Sequence, residues 1–146
     1  MAKFNFNLQN FLHVREKLEE QKKMEFGYAI AEFELQKRKK AALLQERTDT
    51  MDAFKENMAS RIDPTALTGY SGYVETLKGR ITARQQQVEK ASAFVEVKRV
   101  ELAESMKNRK MIEKLKENQY ETFQKEEMIA EQKQVDEVVS YRFNKN

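Results

Sequence analysis

The residues able to do chemistry are few. The 146-residue chain has one histidine, His13, and no cysteine. A metal site needs several ligands brought together, and a nucleophile needs an activating base. His13 has neither kind of companion nearby, so it reads as a solvated side chain on a helix surface. Gly69 and Gly72 lack the lysine and the preceding strand that a phosphate-cradling loop requires. The 24 carboxylates alternate with basic side chains along helical stretches, the pattern of a solvated, ion-paired face. No catalytic residue, cofactor site or metal site emerges, and an enzyme is not expected.

Basic side chains number 27, and the net charge is +3. That imbalance is too small to argue for nucleic acid. The run Lys37-Arg38-Lys39-Lys40 resembles an import or nucleic-acid patch. A helical surface nevertheless tolerates all four through their aliphatic stems, so nucleic acid is not expected as a partner. Met24, Met51, Met58, Met106 and Met111 read as seam packing, with a few left for an adaptable partner surface. The start, MAKFNFNLQNFLHVREKLEE, carries no signal-peptide core, because Asn and Gln interrupt its apolar residues. No apolar run approaches the ~20 residues of a membrane span. The absence of cysteine fits a reducing cytosol.

These side chains must be positioned by helices. Charged residues make up 35% of the chain, and Lys, Glu, Gln, Ala and Arg dominate. They are strong helix formers. Steps of four and three pick out Phe26, Ile30, Phe33, Lys37, Lys40, Leu44, Arg47, Met51, Phe54 and Met58 as one seam, imperfect where it is basic. A cleaner seam follows at Val74, Leu77, Ile81, Arg84, Val88, Ala91, Val95, Lys98 and Leu102. It continues, more polar, through Ser105, Arg109, Ile112, Lys116, Gln119 and Phe123.

Between the two seams lies RIDPTALTGYSGY, with the only proline, Pro64, and two of the four glycines. Asp63-Pro64 is a good helix-start pair, with Asp as cap and Pro at the first helical position. The pattern predicts an all-α fold, a long two-helix antiparallel coiled-coil hairpin over residues 1–146. Helix 1 is expected over about 4–60, the bend over about 61–72 and a longer helix 2 over about 70–143. At 1.5 Å per residue the helices span roughly 85 and 110 Å, so the second should overhang by on the order of 15 residues. A rod with one seam offers no enclosed cavity for a substrate.

Two groups of residues invite a partner. Phe54, Tyr70 and Tyr73 gather about the bend, where they either plug the hairpin end or, with Leu77, present an apolar patch. In EQKQVDEVVSYRF, Asp136 and Glu137 sit late in a helix, where the dipole disfavours negative charge. Val135, Val138, Val139 and Phe143 accompany them on the overhanging part.

At these residues the chain resembles the FliJ family of the bacterial flagellar export apparatus. Phe4, Phe6, Leu8, Leu12, Arg15 and Glu19 fit its Phe-bearing opening. Arg109, Lys110, Glu113, Leu115, Asp136, Glu137 and Arg142 fit its later Arg-Lys, Glu-Lys-Leu and Asp-Glu signatures. The resemblance implies a non-enzymatic stalk, like that of rotary ATPases, in the hexameric export ATPase FliI. It also implies contacts with the export gate protein FlhA and with export chaperones, at the cytoplasmic face of the inner membrane at the flagellar base. By the stalk analogy, Phe4, Phe6, Leu8, Leu12, Arg15, Asp136, Glu137 and Arg142 would meet the ATPase ring. Phe54, Tyr70, Tyr73 and Leu77 would remain for the gate. A monomer is expected for the isolated chain. The competing readings are a self-associating coiled-coil scaffold and a cargo-binding export chaperone. A virulence-type secretion stalk is a near relative of the first reading.

Overall fold

In a computed structural model, which describes residues 2–145, the chain forms two helices and no strand among those residues. α1 spans Gln9–Met58 and α2 spans Pro64–Lys145, the longer of the two. They form a helical hairpin. Two compact units divide it. One, the bend unit, comprises Lys22–Leu102. The other, the termini unit, comprises Met1–Gln21 with Ala103–Asn146.

The bend is tighter than the glycines suggest. The expected bend of 61–72 contracts to the five residues between Met58 and Pro64, and Gly69 and Gly72 are helical. Asp63 is responsible. Its Oδ1 accepts a 3.0 Å bond from the Thr65 amide and its carbonyl accepts one of 3.0 Å from Leu67. The first satisfies a donor that a helix start leaves open, and the second is the first intrahelical bond. Pro64 then occupies the first helical position, where its missing N–H costs nothing. Among the described residues none adopts a positive φ, so the turn requires no glycine. At the other terminus α1 starts at Gln9 rather than near Phe4; residues 2–6 have no regular structure.

In the bend unit, the α2 seam lies where its spacing placed it. Leu77 is fully buried, and Val74, Ile81, Arg84, Val88, Ala91, Val95, Lys98 and Leu102 are half-buried. The α1 seam is half right. Phe26, Phe33, Lys40, Leu44, Phe54 and Met58 are half-buried and Arg47 is exposed, but several alternate positions shift by one residue. Ala29 and Gln36 are buried and Leu43 and Thr50 half-buried, whereas Ile30, Lys37 and Met51 are exposed. Hydrophobicity favoured Ile30 and Met51. Packing selects Ala29, whose small side chain lets the helices approach, and Gln36, which has a polar partner across the seam.

Opposed positions fix an antiparallel register. Phe54 stacks on Tyr70 with centroids 3.8 Å apart, Arg84 Nη1 donates to Gln36 Oε1 at 2.8 Å, and Lys98 Nζ lies 3.4 Å from Glu25 Oε2. Numbers rise on one helix as they fall on the other. In the termini unit, Phe6 and Leu12 are buried against the α2 side, with Ser105, Arg109, Ile112, Lys116 and Phe123 on the facing seam; Gln119 is exposed. Apart from a half-buried Glu127, α2 is exposed from Gln124 to Lys145. The expected overhang is present. Few apolar residues are fully buried, so neither unit has an interior in the usual sense.

Candidate partner-binding faces

The termini unit gathers most of the residues singled out for one partner. Phe4 leaves the helical path to pack its ring against Tyr120 and Phe123, with centroids at 5.2 and 5.5 Å. Gln9 N closes the first turn on Phe6 O at 3.1 Å. Phe6 and Leu12 are buried, so their side chains hold the N-terminal segment in place and present no surface of their own. Leu8 and Phe11 are exposed beside them. The Arg15 guanidinium lies 4.9 Å from the Phe11 ring centre, which sets its charge over an aromatic face.

Glu19 is the most buried charge in this unit and binds Arg109, which also donates to Glu113 at 2.7 Å. Hydrogen bonds donated to Glu19 first and Glu113 second hold the Arg109 guanidinium in its charged form. This layer ties residue 19 to residue 109 in a fixed register, a use for buried polar groups that coiled coils share.

Asp136, Glu137 and Arg142 lie on the exposed end of α2. They are not brought against Phe4 or Leu8 by any contact among the described residues. Gln132 Nε2 donates to Asp136 at 3.2 Å. Val135, Val138, Val139, Tyr141 and Phe143 are all more than half exposed. In a single chain, such a stretch of helix has nothing to bury its apolar side chains against.

In the bend unit the four residues proposed for a second partner divide. Phe54 and Tyr70 are stacked and half-buried, the plug of the hairpin end. Leu77 is inside the seam and offers nothing to a partner. Tyr73 remains exposed, with its hydroxyl donating to Glu46, a bond that raises the phenol above its ordinary value of 10.0. Ile62 and Leu67, which the spacing did not single out, are exposed next to the bend.

Sequence reasoning also missed the charge layer of this unit. Lys22 and Lys98 each contact both Glu25 and Glu101, at 3.2–3.4 Å. Partial burial pushes the Glu25 carboxyl up, but the Lys22 bond and the charges of Lys22 and Lys98 outweigh it, and the group titrates below its ordinary 4.5. Glu101 is lowered by Lys98 and then Lys22. Lys22 in turn is raised by Glu101 and then Glu25. The signal was present, since Lys98 occupies a heptad position that an apolar residue would normally fill.

Three of the methionines assigned to the seam lie outside it. Met24, Met51 and Met111 are exposed, while Met58 and Met106 are half-buried. His13 is exposed, with the Gln9 side-chain nitrogen 2.9 Å from its Nε2. Among the described residues, no group of three or more His, Cys, Asp or Glu could hold a metal ion, and no helix is long and apolar enough to cross a membrane.

No curated protein and no solved structure matches the chain. The family model FliJ, described as flagellar FliJ protein, matches residues 4–146. Nearly the whole sequence is thus covered, from Phe4 through both helices to the exposed end of α2. On that match the chain belongs to the FliJ family and is a component of the flagellar export apparatus.

Proposed function

We propose that the protein is the central stalk of the export ATPase ring and performs no chemistry itself. Its termini unit enters the ring of FliI subunits, promotes hexamer assembly and raises turnover. The bend unit links the ring to the export gate protein FlhA and to export chaperones, at the cytoplasmic face of the inner membrane. The observation that carries this reading is the exposed end of α2. Val135, Val138, Val139 and Phe143 stand in water beside Asp136 and Glu137, an arrangement that needs a partner to bury it. The stalk acts by binding. Faces that touch several subunits at once favour the assembled ring over free subunits.

The contacts with the ring come from Phe4, Leu8, Arg15, Asp136, Glu137 and Arg142, with Phe6 and Leu12 acting from within as the packing that positions them. For the gate, Tyr73 is the remaining exposed member of its group, with Ile62 and Leu67 beside the bend. A pull-down separates the two partners. Full-length protein and a chain ending at Lys125 are each tested against purified ATPase and purified gate protein. The truncation removes helix that is almost wholly exposed, so the rest keeps its packing. Loss of ATPase binding with gate binding retained is expected; equal loss of both, or of neither, contradicts the assignment.

A further inference from the structure

One face of α2 in the termini unit has no use in the hairpin. At about 100° per residue, Met128, Val135, Val139 and Phe143 fall within about 80° of one another. Ala103, Lys107, Lys110 and Lys114 fall on that same face, about 150° around the helix from the seam that meets α1. All eight are exposed. Ala103, Lys107, Lys110 and Lys114 line a shallow groove with Met106 and Met111.

The two ends of this face are complementary. On this face the end nearer the bend carries Lys107, Lys110 and Lys114, and the flanks of the other end carry Glu131 and Asp136. Lys107 and Lys110 have no ion-pair partner among the described residues, and neither does Glu131. Within one straight helix the two segments cannot meet.

We infer that this face binds a second copy of the chain, antiparallel, about a two-fold axis near Glu121. In that register Ala103 meets Val139, Lys107 meets Val135 and Asp136, Lys110 comes beside Glu131, and Lys114 meets Met128. Glu117 then pairs with Lys125. Each copy lays its acidic, apolar tail on the basic, methionine-lined groove of the other, an isologous contact made twice. Parallel pairing would set basic on basic and acidic on acidic, so charge selects the antiparallel arrangement. The helix carrying the contact is about 60 Å long, and the α1 segment lies on the other side, out of the way. Glu121 meets its own copy at the axis, a repulsion that keeps the pair dissociable. The dimer departs from the expected monomer and does not rest on the stalk reading. If both hold, ring entry separates the copies, because the same tail is covered in each.

The test is made on the full-length chain without any ATPase. Light scattering is expected to give a mass that climbs from 17.3 kDa toward twice that value with concentration, and salt should lower it. Two charge-reversed variants follow, one K107E/K110E and the other E131K/D136K. Each alone is expected to stay monomeric with unchanged helix content, and mixing the two should restore the dimer. Glu121→Gln should tighten it. The natural chain has no cysteine, so Ala103→Cys and Val139→Cys report direction. The mixture should cross-link under oxidation and neither variant alone should. A monomeric mass at every concentration, a mixture of reversed variants that stays monomeric, or cross-linking of V139C to itself each overturns the proposal and leaves the face to another partner.

Discussion

Leu77 is the one fully buried side chain of the bend unit, and its truncation tests whether the hairpin rests on a single seam. It is 0% exposed. Replacing a buried leucine by alanine costs about 2–5 kcal/mol, from lost transfer energy plus the cavity left behind. The flanking seam residues Val74 and Ile81 are only half-buried. With a single packed layer the helices can draw together over the gap, which favours the lower part of the range, about 2–3 kcal/mol. A urea slope of about 2 kcal/mol/M turns this into a midpoint drop of about 1–1.5 M. Circular dichroism at the helix band follows the transition. Leu77→Met should cost less than about 1.5 kcal/mol, because it conserves volume. Leu67→Ala, exposed near the bend, should fall within about 0.5 kcal/mol of the natural chain. A Leu77→Ala midpoint equal to that of Leu67→Ala would refute the seam as described. It would also return Leu77 to the surface group around Tyr73.

Other perturbations follow from the same packing. Gly27 and Gly79 are helical, and an added Cβ would meet nothing within 4 Å; Gly27→Ala and Gly79→Ala should each stabilise by about 1 kcal/mol in urea titrations. Ser105 is buried and its Oγ has no hydrogen-bond partner among the described residues. Ser105→Ala should therefore raise stability by about 1 kcal/mol, through removal of a desolvated hydroxyl and a better helix former; a loss would mean the hydroxyl has a partner. The Glu25 and Glu101 carboxyls are depressed in the folded chain, so their contribution is complete above their ordinary value of 4.5 and fades as pH falls through the lower folded values. Thermal melts of the natural chain should lose stability in that acid window faster than those of Glu25→Gln/Glu101→Gln, and parallel curves would contradict the charge layer.

The α2 seam was legible in the sequence because its heptad positions run almost without interruption from Val74 to Phe123. In α1 the spacing found Phe26, Phe33, Lys40, Leu44, Phe54 and Met58 but not Ala29, Gln36 or Thr50. Ala29 and Gln36 are too small or too polar to be recognised as core without knowing what opposes them, and Gln36 becomes a seam residue only through Arg84. The bend was placed correctly by Asp63-Pro64 and overextended by Gly69 and Gly72. Glycine tolerates many conformations, and here the helix started by Asp63 runs through both. For the partner faces, the overhang and its acidic, apolar character followed from helix lengths and spacing. Phe6 and Leu12 could not be distinguished from surface residues, since an apolar side chain next to a partner face and one beneath it look alike in sequence; Leu77 was legible as a seam residue, and its place in the seam is what removes it from the partner patch.

The central claim is that the chain acts by binding the export ATPase. Purified ATPase is mixed with the full-length protein and ATP, and hexamer formation and ATP turnover are followed together. Both should rise with added protein, and the chain ending at Lys125 should fail to raise them. Unchanged assembly and unchanged turnover, with the full-length protein in excess, would contradict the stalk.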